Sequence, residues 1–272
     1  MGRIVDDKEA GIMYEKWEHT HPRAVLLLVH GLGAHTGRWN FLAGFFLARG
    51  ISSYAIALKG FGKTPPPKGH IDSFNTYVDD VIKLRGVLKK KAPSAKVFIL
   101  GESMGALISF IAAGLYPDLF AGLICFSPAF GNRLKFSAWD FLRIFSASFI
   151  DPKKQFHLPF DSGMCTRDKE YSEAMDRDPD ELRTASSKLL TEIFFAQVRS
   201  GRLSSRIKKP VLFQVAGNDM LVDPEASVRV FSSLETADKT LKRYPEMRHA
   251  LSVELDREKV FQDTLNWLEQ KI

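Results

Sequence analysis

The residue of this sequence best placed to do chemistry is Ser103, which lies between two glycines in the pentapeptide Gly101-Glu102-Ser103-Met104-Gly105. An apolar run over residues 96–100, short enough for a buried strand, precedes it, and small and apolar residues at helical spacing follow. The pattern predicts a strand, a sharp turn and a helix, with the serine hydroxyl projecting from the turn. Because Gly-x-Ser-x-Gly also occurs in ordinary turns, a nucleophilic Ser103 needs a base, an acid and an oxyanion site elsewhere in the chain.

The order of residues along the chain selects the base. In hydrolases built around this turn the nucleophile comes first, a carboxylate second and a histidine last. Only His157 and His249 follow Ser103. His157 precedes the strand that should carry the acid, so we predict that His249, in the loop after the last predicted strand, is the base.

Two carboxylates compete for the role of the acid. Asp219 and Asp223 both follow a strand predicted over residues 210–217. Asp219 is nearer to the end of that strand, whereas Asp223 stands directly before Pro224, where it could cap a helix. We therefore predict Asp219 as the acid and keep Asp223 as the second choice.

The oxyanion site is predicted from a second glycine-rich turn. His30-Gly31-Leu32-Gly33 follows a buried strand predicted over residues 23–29, and its glycines allow the Leu32 amide to turn toward a ligand. That amide and the amide of Met104 form the predicted oxyanion hole. The other interpretation of this segment is a simple strand-to-helix turn. The predicted reaction, acyl transfer to Ser103 followed by hydrolysis, requires no metal and no cofactor.

The order of the elements predicts an α/β fold with a mostly parallel central sheet flanked by helices. Strands and helices alternate over residues 1–128, the predicted first part of the core, and again over residues 207–272, the second part. Residues 129–206 lack a convincing buried strand but contain two apolar helical stretches, at 138–150 and 187–198. We predict that this segment is a helical cap over the carboxyl ends of the strands, where open α/β sheets bind ligands.

Large apolar side chains recur on one face of each predicted cap helix. Together they offer more apolar surface than a small insertion can easily bury, so part is expected to line an acyl pocket and part to lie exposed as a docking patch for micelles or membranes. The candidates for the pocket are Trp139, Phe141, Leu142, Phe145, Phe149, Leu190, Ile193 and Phe194.

Composition excludes several other classes of function. The net charge of +6 over 272 residues is divided among short clusters without the motifs of a nucleic-acid reader. No run approaches the roughly 18 apolar residues of a membrane span, and the first 20 residues resemble no signal peptide. Cys125 and Cys165 form neither a disulfide framework nor a metal pattern. A cytoplasmic protein with peripheral membrane contact is expected, and the sequence does not indicate an oligomeric state.

Taken together, these motifs resemble the monoacylglycerol lipase and lysophospholipase branch of the α/β-hydrolase superfamily over nearly the whole chain. Besides the predicted triad, the resemblance lies in the segments 30–39, 69–80, 166–168 and 217–223 and in Asp178-Pro179. It implies the α/β-hydrolase fold and a serine carboxylic-ester hydrolase that releases a fatty acid and glycerol from a monoacylglycerol through an acyl-enzyme.

The resemblance leaves the substrate open. Ala34, Ala57, Lys59 and Ala250 depart from the family pattern beside the predicted site. A broad carboxylesterase and a lysophospholipase are the nearest alternatives. A related serine aminopeptidase is a more distant one, and it would need a carboxylate cluster to hold the substrate amine; the candidates are Glu170, Glu173, Asp176 and Asp178.

Overall fold

The computed structural model of the protein describes residues 2–134 and 137–272; residue 1, and residues 135 and 136 within the predicted cap, lie outside the described part. Its strands are β1 (Arg3–Asp7), β2 (Ile12–Trp17), β3 (Ala24–Val29), β4 (Ile51–Ile56), β5 (Lys96–Glu102), β6 (Gly122–Phe126), β7 (Gln155–His157), β8 (Thr184–Ser186), β9 (Val211–Ala216) and β10 (Lys239–Tyr244). Its α-helices are α1 (Asn40–Leu47), α2 (Asn75–Lys91), α3 (Met104–Leu115), α4 (Ala138–Ile150), α5 (Ser162–Cys165), α6 (Lys169–Arg177), α7 (Ser187–Ser200), α8 (Pro224–Ser232) and α9 (Arg257–Leu268).

One large sheet contains eight strands in the order β1-β2-β4-β3-β5-β6-β9-β10. The strands from β4 to β10 in this order pair in parallel, and only β1 and β2 run antiparallel to their neighbours. Alternate residues of the fully buried β3 enter separate apolar clusters, Val25 and Leu27 on one face and Leu26 and Leu28 on the other. Helices therefore cover both faces, as the buried runs predict, and the predicted α/β fold is confirmed.

The amino-terminal edge of the sheet differs from the prediction. The sequence predicts an edge strand over residues 11–19, but β1 pairs outside it, with Ile4 opposite Glu15. Most of β1 is exposed, so it lacks the alternation of apolar and polar residues by which a half-buried strand is recognised. Strand β1 is held mainly by its main-chain hydrogen bonds to β2. Such hydrogen bonds do not require apolar side chains, so the sequence shows no pattern from which β1 could be predicted.

Between β6 and β9, the described residues add no strand to the large sheet and instead form α4 to α7 and a small antiparallel pair, β7 and β8. The helices predicted at 138–150 and 187–198 are present as α4 and α7, and they contact each other through the rings of Phe145 and Phe195. The pair β7–β8 was not expected, because three residues are too few to show a strand period. The boundaries of the cap at 129 and 206 remain predictions.

Candidate active site

Ser103 occupies the sharp turn between β5 and α3. Its backbone has φ 58° and ψ −122°, a positive φ that is strained for a residue with a side chain. The amide of Ser103 donates to the Phe126 carbonyl at 2.9 Å, and the Ser103 carbonyl accepts from the Ala106 amide at 3.0 Å. A Cβ atom at Gly105 would collide with the Val29 carbonyl, which explains why this position is a glycine. Strand and helix thus hold the serine in its strained conformation.

His249 and Asp219 form a buried pair beside this turn. Nδ1 of His249 lies 2.8 Å from Oδ2 of Asp219, and both side chains are almost completely buried. The other carboxylate oxygen of Asp219 accepts hydrogen bonds from the amides of Leu221 (2.8 Å) and Val222 (3.0 Å). An ionised carboxylate held in this way requires a proton on Nδ1, which leaves Nε2 as the ring nitrogen that can accept another.

The second candidate for the acid has a different role. The side chain of Asp223 accepts from the amide of Glu225 at 3.1 Å at the amino terminus of α8, with Pro224 in the first turn. Its other oxygen lies 3.2 Å from Arg229. Asp223 is therefore a helix cap, as the alternative interpretation of this residue predicts.

The electrostatic surroundings of His249 favour its protonated form. Burial disfavours the charged imidazolium, but the carboxylates of Asp219 and Glu102 outweigh this penalty, and the pKa of His249 lies above its usual value. Arg38 acts in the opposite direction. The imidazole is therefore a stronger base than one exposed to water.

The amides of Leu32 and Met104 both belong to residues that line the cavity containing Ser103. Within residues 2–134 and 137–272 neither amide donates a hydrogen bond. Met104 is the first residue of α3, where main-chain amides have no partner inside the helix. Two amide donors next to a serine are suited to bind a negatively charged oxygen.

His30 holds the peptide group that contains the Leu32 amide. Its Nε2 accepts from the Leu58 amide at 3.2 Å, so its Nδ1 carries the proton and donates to the Gly31 carbonyl at 2.9 Å. Since C=O and N–H point in opposite directions in a trans peptide, fixing the Gly31 carbonyl also fixes the Leu32 amide. Burial lowers the pKa of His30 to about 3, and the ring is neutral.

A cavity of about 820 Å³, lined largely by apolar side chains, contains both Ser103 and His249 in its wall. Six of the eight predicted pocket residues line it, namely Phe141, Leu142, Phe145, Leu190, Ile193 and Phe194. The other two are not among its lining residues: Trp139 is 65% exposed and Phe149 is 72% exposed. These two lie near the two ends of α4, outside the stretch 141–145 that lines the cavity; Phe149 is on the same side of the helix as Phe145 but one turn further along.

Several residues of the cavity wall were not predicted. Three of the apolar ones, Ile144, Leu158 and Phe160, belong to α4 and to the segment after β7. The polar and charged ones are Arg38, Glu102, Asn132, Cys165, Arg183, Thr191 and Gln197. Glu102 adjoins Ser103 in the sequence, but motif order gives no signal for the residues of the cap, because they reach the cavity through contacts between distant segments. In the described ranges, no three His, Cys, Asp or Glu side chains are grouped so that they could hold a metal ion.

Comparisons with known proteins agree with this architecture. A family model described as serine aminopeptidase, S33, matches residues 20–256. Phospholipase YtpA of Bacillus subtilis is 27% identical over 260 residues, which cover 94% of this chain and 99% of that protein. Human monoglyceride lipase is 26% identical, with coverage of 94% and 86%. The crystal structure of Paleococcus ferrophilus monoacylglycerol lipase superposes with a TM-score of 0.86 at 26% identity and covers 96% of this chain and 99% of that one. These matches include the cap as well as the core.

Proposed function

The chain belongs to the serine aminopeptidase S33 family of α/β-hydrolases, and we propose that it is a serine esterase that releases the fatty acid from a monoacylglycerol. The observation that carries the proposal is that Ser103 and His249 line the same apolar cavity. His249 also forms a buried pair with Asp219. Family relatives named monoglyceride lipase, from mouse, human and rat, support the choice of substrate.

In the proposed reaction, the Ser103 hydroxyl attacks the ester carbonyl while Nε2 of His249 takes its proton. Asp219 keeps the other proton on Nδ1 and stabilises the imidazolium. The amides of Leu32 and Met104 stabilise the tetrahedral oxyanion, an effect that is typically worth about 3–4 kcal/mol per donor. The ester C–O bond then breaks, and glycerol leaves with the proton from His249. A water molecule then gives a proton to His249 and attacks the acyl-enzyme carbonyl. The bond to Ser103 Oγ breaks, the proton passes from His249 to Oγ, and the fatty acid is released.

The charged groups of the cavity favour an uncharged headgroup over a phosphate. Arg38 and Arg183 line the cavity, but both are paired with Glu181, Arg38 through Nε at 3.2 Å and Arg183 through Nη1 at 3.4 Å. Arg183 also lies 3.6 Å from Asp176, so each arginine already has a carboxylate partner and a phosphate would have to compete with it. This favours a monoacylglycerol over a lysophospholipid, although one relative is named a phospholipase.

A peptidase reaction has less support. The carboxylates that could hold a substrate amine lie on and just after α6, and none of them lines the cavity: Glu170, Glu173, Asp176 and Asp178. The first three are exposed, and Asp178 is paired with His35 at 3.0 Å. They form a solvated helix face and not a binding site for an amine.

We include a set of exposed apolar residues of α4 and α7 in the proposal, as a docking patch for a lipid surface. It comprises Trp139, Phe149, Ile150, Phe195 and Val198, all of them exposed. Exposed apolar groups next to the cavity would lie against a micelle or bilayer, from which a single-chain lipid could enter. Among the described residues, none of the helices combines the length and apolar character that crossing a bilayer requires.

The function is tested by a hydrolysis panel together with covalent labelling. We expect fatty acid release from monoacylglycerols to exceed the rates on diacylglycerols, lysophospholipids and amino-acid arylamides. An organophosphonate probe should label wild-type protein at Ser103 and leave Ser103→Ala unlabelled. Faster hydrolysis of the arylamides, or an adduct mapped to another residue, would contradict the proposal.

The docking patch is tested separately with Phe149→Ser. We expect it to reduce the rate on monoacylglycerol in phospholipid vesicles several-fold and to leave the rate on a monomeric short-chain ester unchanged, because Phe149 lies outside the cavity. Ile4→Ser, which changes an exposed apolar residue on the edge strand β1, is the control. Equal losses in the two variants, or a loss on the monomeric ester, would count against a lipid-docking role.

A further inference from the structure

A buried carboxylate connects the strand that carries Ser103 to the loop that carries His249. Glu102, the last residue of β5, is 3% exposed. Its Oε1 accepts from the main-chain amide of Ser252 at 2.9 Å, and its Oε2 lies 2.8 Å from the Ser252 hydroxyl. Ser252 is itself fully buried and follows His249 by three positions in the chain. Glu102 thus fastens the histidine loop directly beside the serine turn.

The surroundings of Glu102 are consistent with a negative charge. An amide N–H can only donate, and the hydroxyl can donate to the second oxygen, so both carboxylate oxygens act as acceptors. Burial raises the pKa of Glu102 above its usual value, and the hydrogen bonds from Ser252 and the positive charge of Arg38 limit that rise. Glu102 also lines the cavity that contains Ser103 and His249.

We propose that Glu102 is a positioning residue for the ester hydrolysis proposed above, on which this inference rests. Its carboxylate holds the His249 loop against the Ser103 turn, and its charge, with that of Asp219, stabilises the imidazolium that forms during acyl transfer. No bond to Glu102 forms or breaks. Its contribution is electrostatic, in a buried site where a unit charge acts more strongly than it does in water.

Apart from Asp219, which acts in the same direction as Glu102, the other ionisable groups near His249 do not supply this stabilisation. Asp219 lies in the turn after β9, and Arg38 lies in the segment between β3 and α1. Cys165 belongs to the cap, and Arg248 and Glu254 belong to the loop that carries His249. Arg38 opposes protonation of His249. Burial raises the pKa of the Cys165 thiol to about 12, so Cys165 is neutral. Arg248 donates to carbonyls of the cap, and Glu254 accepts from its amide at 2.9 Å.

The test is the variant Glu102→Gln, whose amide keeps an oxygen for the Ser252 amide and an N–H for the Ser252 hydroxyl but carries no charge. We expect the acidic limb of the kcat/KM profile for monooctanoylglycerol, measured over about pH 4.5–9, to move to lower pH. At the pH optimum kcat should fall on the order of tenfold, because one charge that stabilises the imidazolium is missing. Ser252→Ala retains the Glu102 charge and should leave the acidic limb near its wild-type position.

The outcomes separate this inference from the proposed function. A wild-type protein that hydrolyses none of the esters would contradict the function itself. If the wild-type protein hydrolyses the ester and the acidic limb of its pH profile lies at the same pH as that of Glu102→Gln, only the role of Glu102 is overturned. If Glu102→Gln does not fold, the double variant Glu102→Ala, Ser252→Ala removes both side chains of the contact, although not the main-chain amide of residue 252, and should show the same shift of the limb.

Discussion

The two parts of the molecule that face the cavity differ in how their residues are fixed. At the carboxyl ends of the strands, Ser103, Asp219 and Glu102 are held by hydrogen bonds to main-chain groups. In the cap, the lining side chains of α4 and α7 are large and apolar, and several of them are half exposed, such as Leu142 and Phe194. Directional hydrogen bonds require one geometry, whereas apolar contact depends mainly on buried area.

This difference separates two kinds of control over the proposed reaction. Changes at the strand ends should affect the chemical step, because a misplaced donor or base no longer matches the transition state. Changes in the cap should affect which acyl chain is accepted and how lipid reaches the cavity.

The largest effect is expected for Asp219→Asn. An asparagine can keep one acceptor for the Leu221 and Val222 amides, so the fold should persist, but it removes the charge and favours the wrong tautomer of His249. In a comparable triad the corresponding change lowers kcat about ten-thousandfold. Turnover numbers and circular dichroism of the purified variant test this. A loss smaller than about tenfold would mean that Asp219 orients His249 without being needed for the reaction.

A smaller effect, confined to the cap, is expected along a series of monoacylglycerols. Each buried methylene contributes about 0.8 kcal/mol, so kcat/KM should rise on the order of a thousandfold from acetyl to octanoyl chains and level off once the cavity is filled. Ile193→Trp, which narrows the cavity, should reduce the rates for long chains and spare the acetyl ester. A maximum at acetyl in the wild-type protein would indicate a short-ester esterase with no role for the cap as an acyl pocket.

His30, in the turn that carries the Leu32 amide, should make the free energy of unfolding depend on pH. The pKa of His30 is about 3 in the folded protein, and it is about 6.5 in an unfolded chain. Between these values the unfolded state binds more protons, so this group lowers the stability of the fold as the pH falls, by about 2 kcal/mol at pH 5. His30→Gln should therefore lose less stability between about pH 7 and 5 than the wild-type protein does, as measured by urea unfolding. His157→Gln, at an exposed histidine, is the control and should behave like wild type.

The sequence is more informative about the strand ends than about the cap, and the reason is physical. Ser103, Asp219 and His249 each follow a recognisable strand, and the parallel strands of one sheet bring their carboxyl ends to a common edge. The contact of Glu102 with Ser252 could not be predicted in this way. It joins positions 150 residues apart, and no periodicity or turn chemistry relates them.

In the cap, the helix period predicted an apolar face but not which part of it faces inward. Phe145 lines the cavity, whereas Phe149, one turn further along α4, does not. The two rings nevertheless contact each other, with their centroids 5.1 Å apart. The direction of each side chain depends on how α4 packs against α7 and against the segment after β7. That packing is a property of the tertiary structure and leaves only a weak trace in the local sequence.

The smallest predicted effect belongs to Asp223, which separates the two aspartates after β9. Because Asp223 caps α8 through the Glu225 amide, Asp223→Ala should lower the free energy of unfolding by about 1 kcal/mol. Asp223→Asn keeps the acceptor oxygen and should cost only a few tenths of that amount. Both variants should retain wild-type kcat, since this side chain contacts Arg229 and not His249. Urea unfolding and turnover numbers, measured on the same preparations, test the assignment. A large loss of turnover in Asp223→Asn with an unchanged rate in Asp219→Asn would exchange the roles of the two carboxylates.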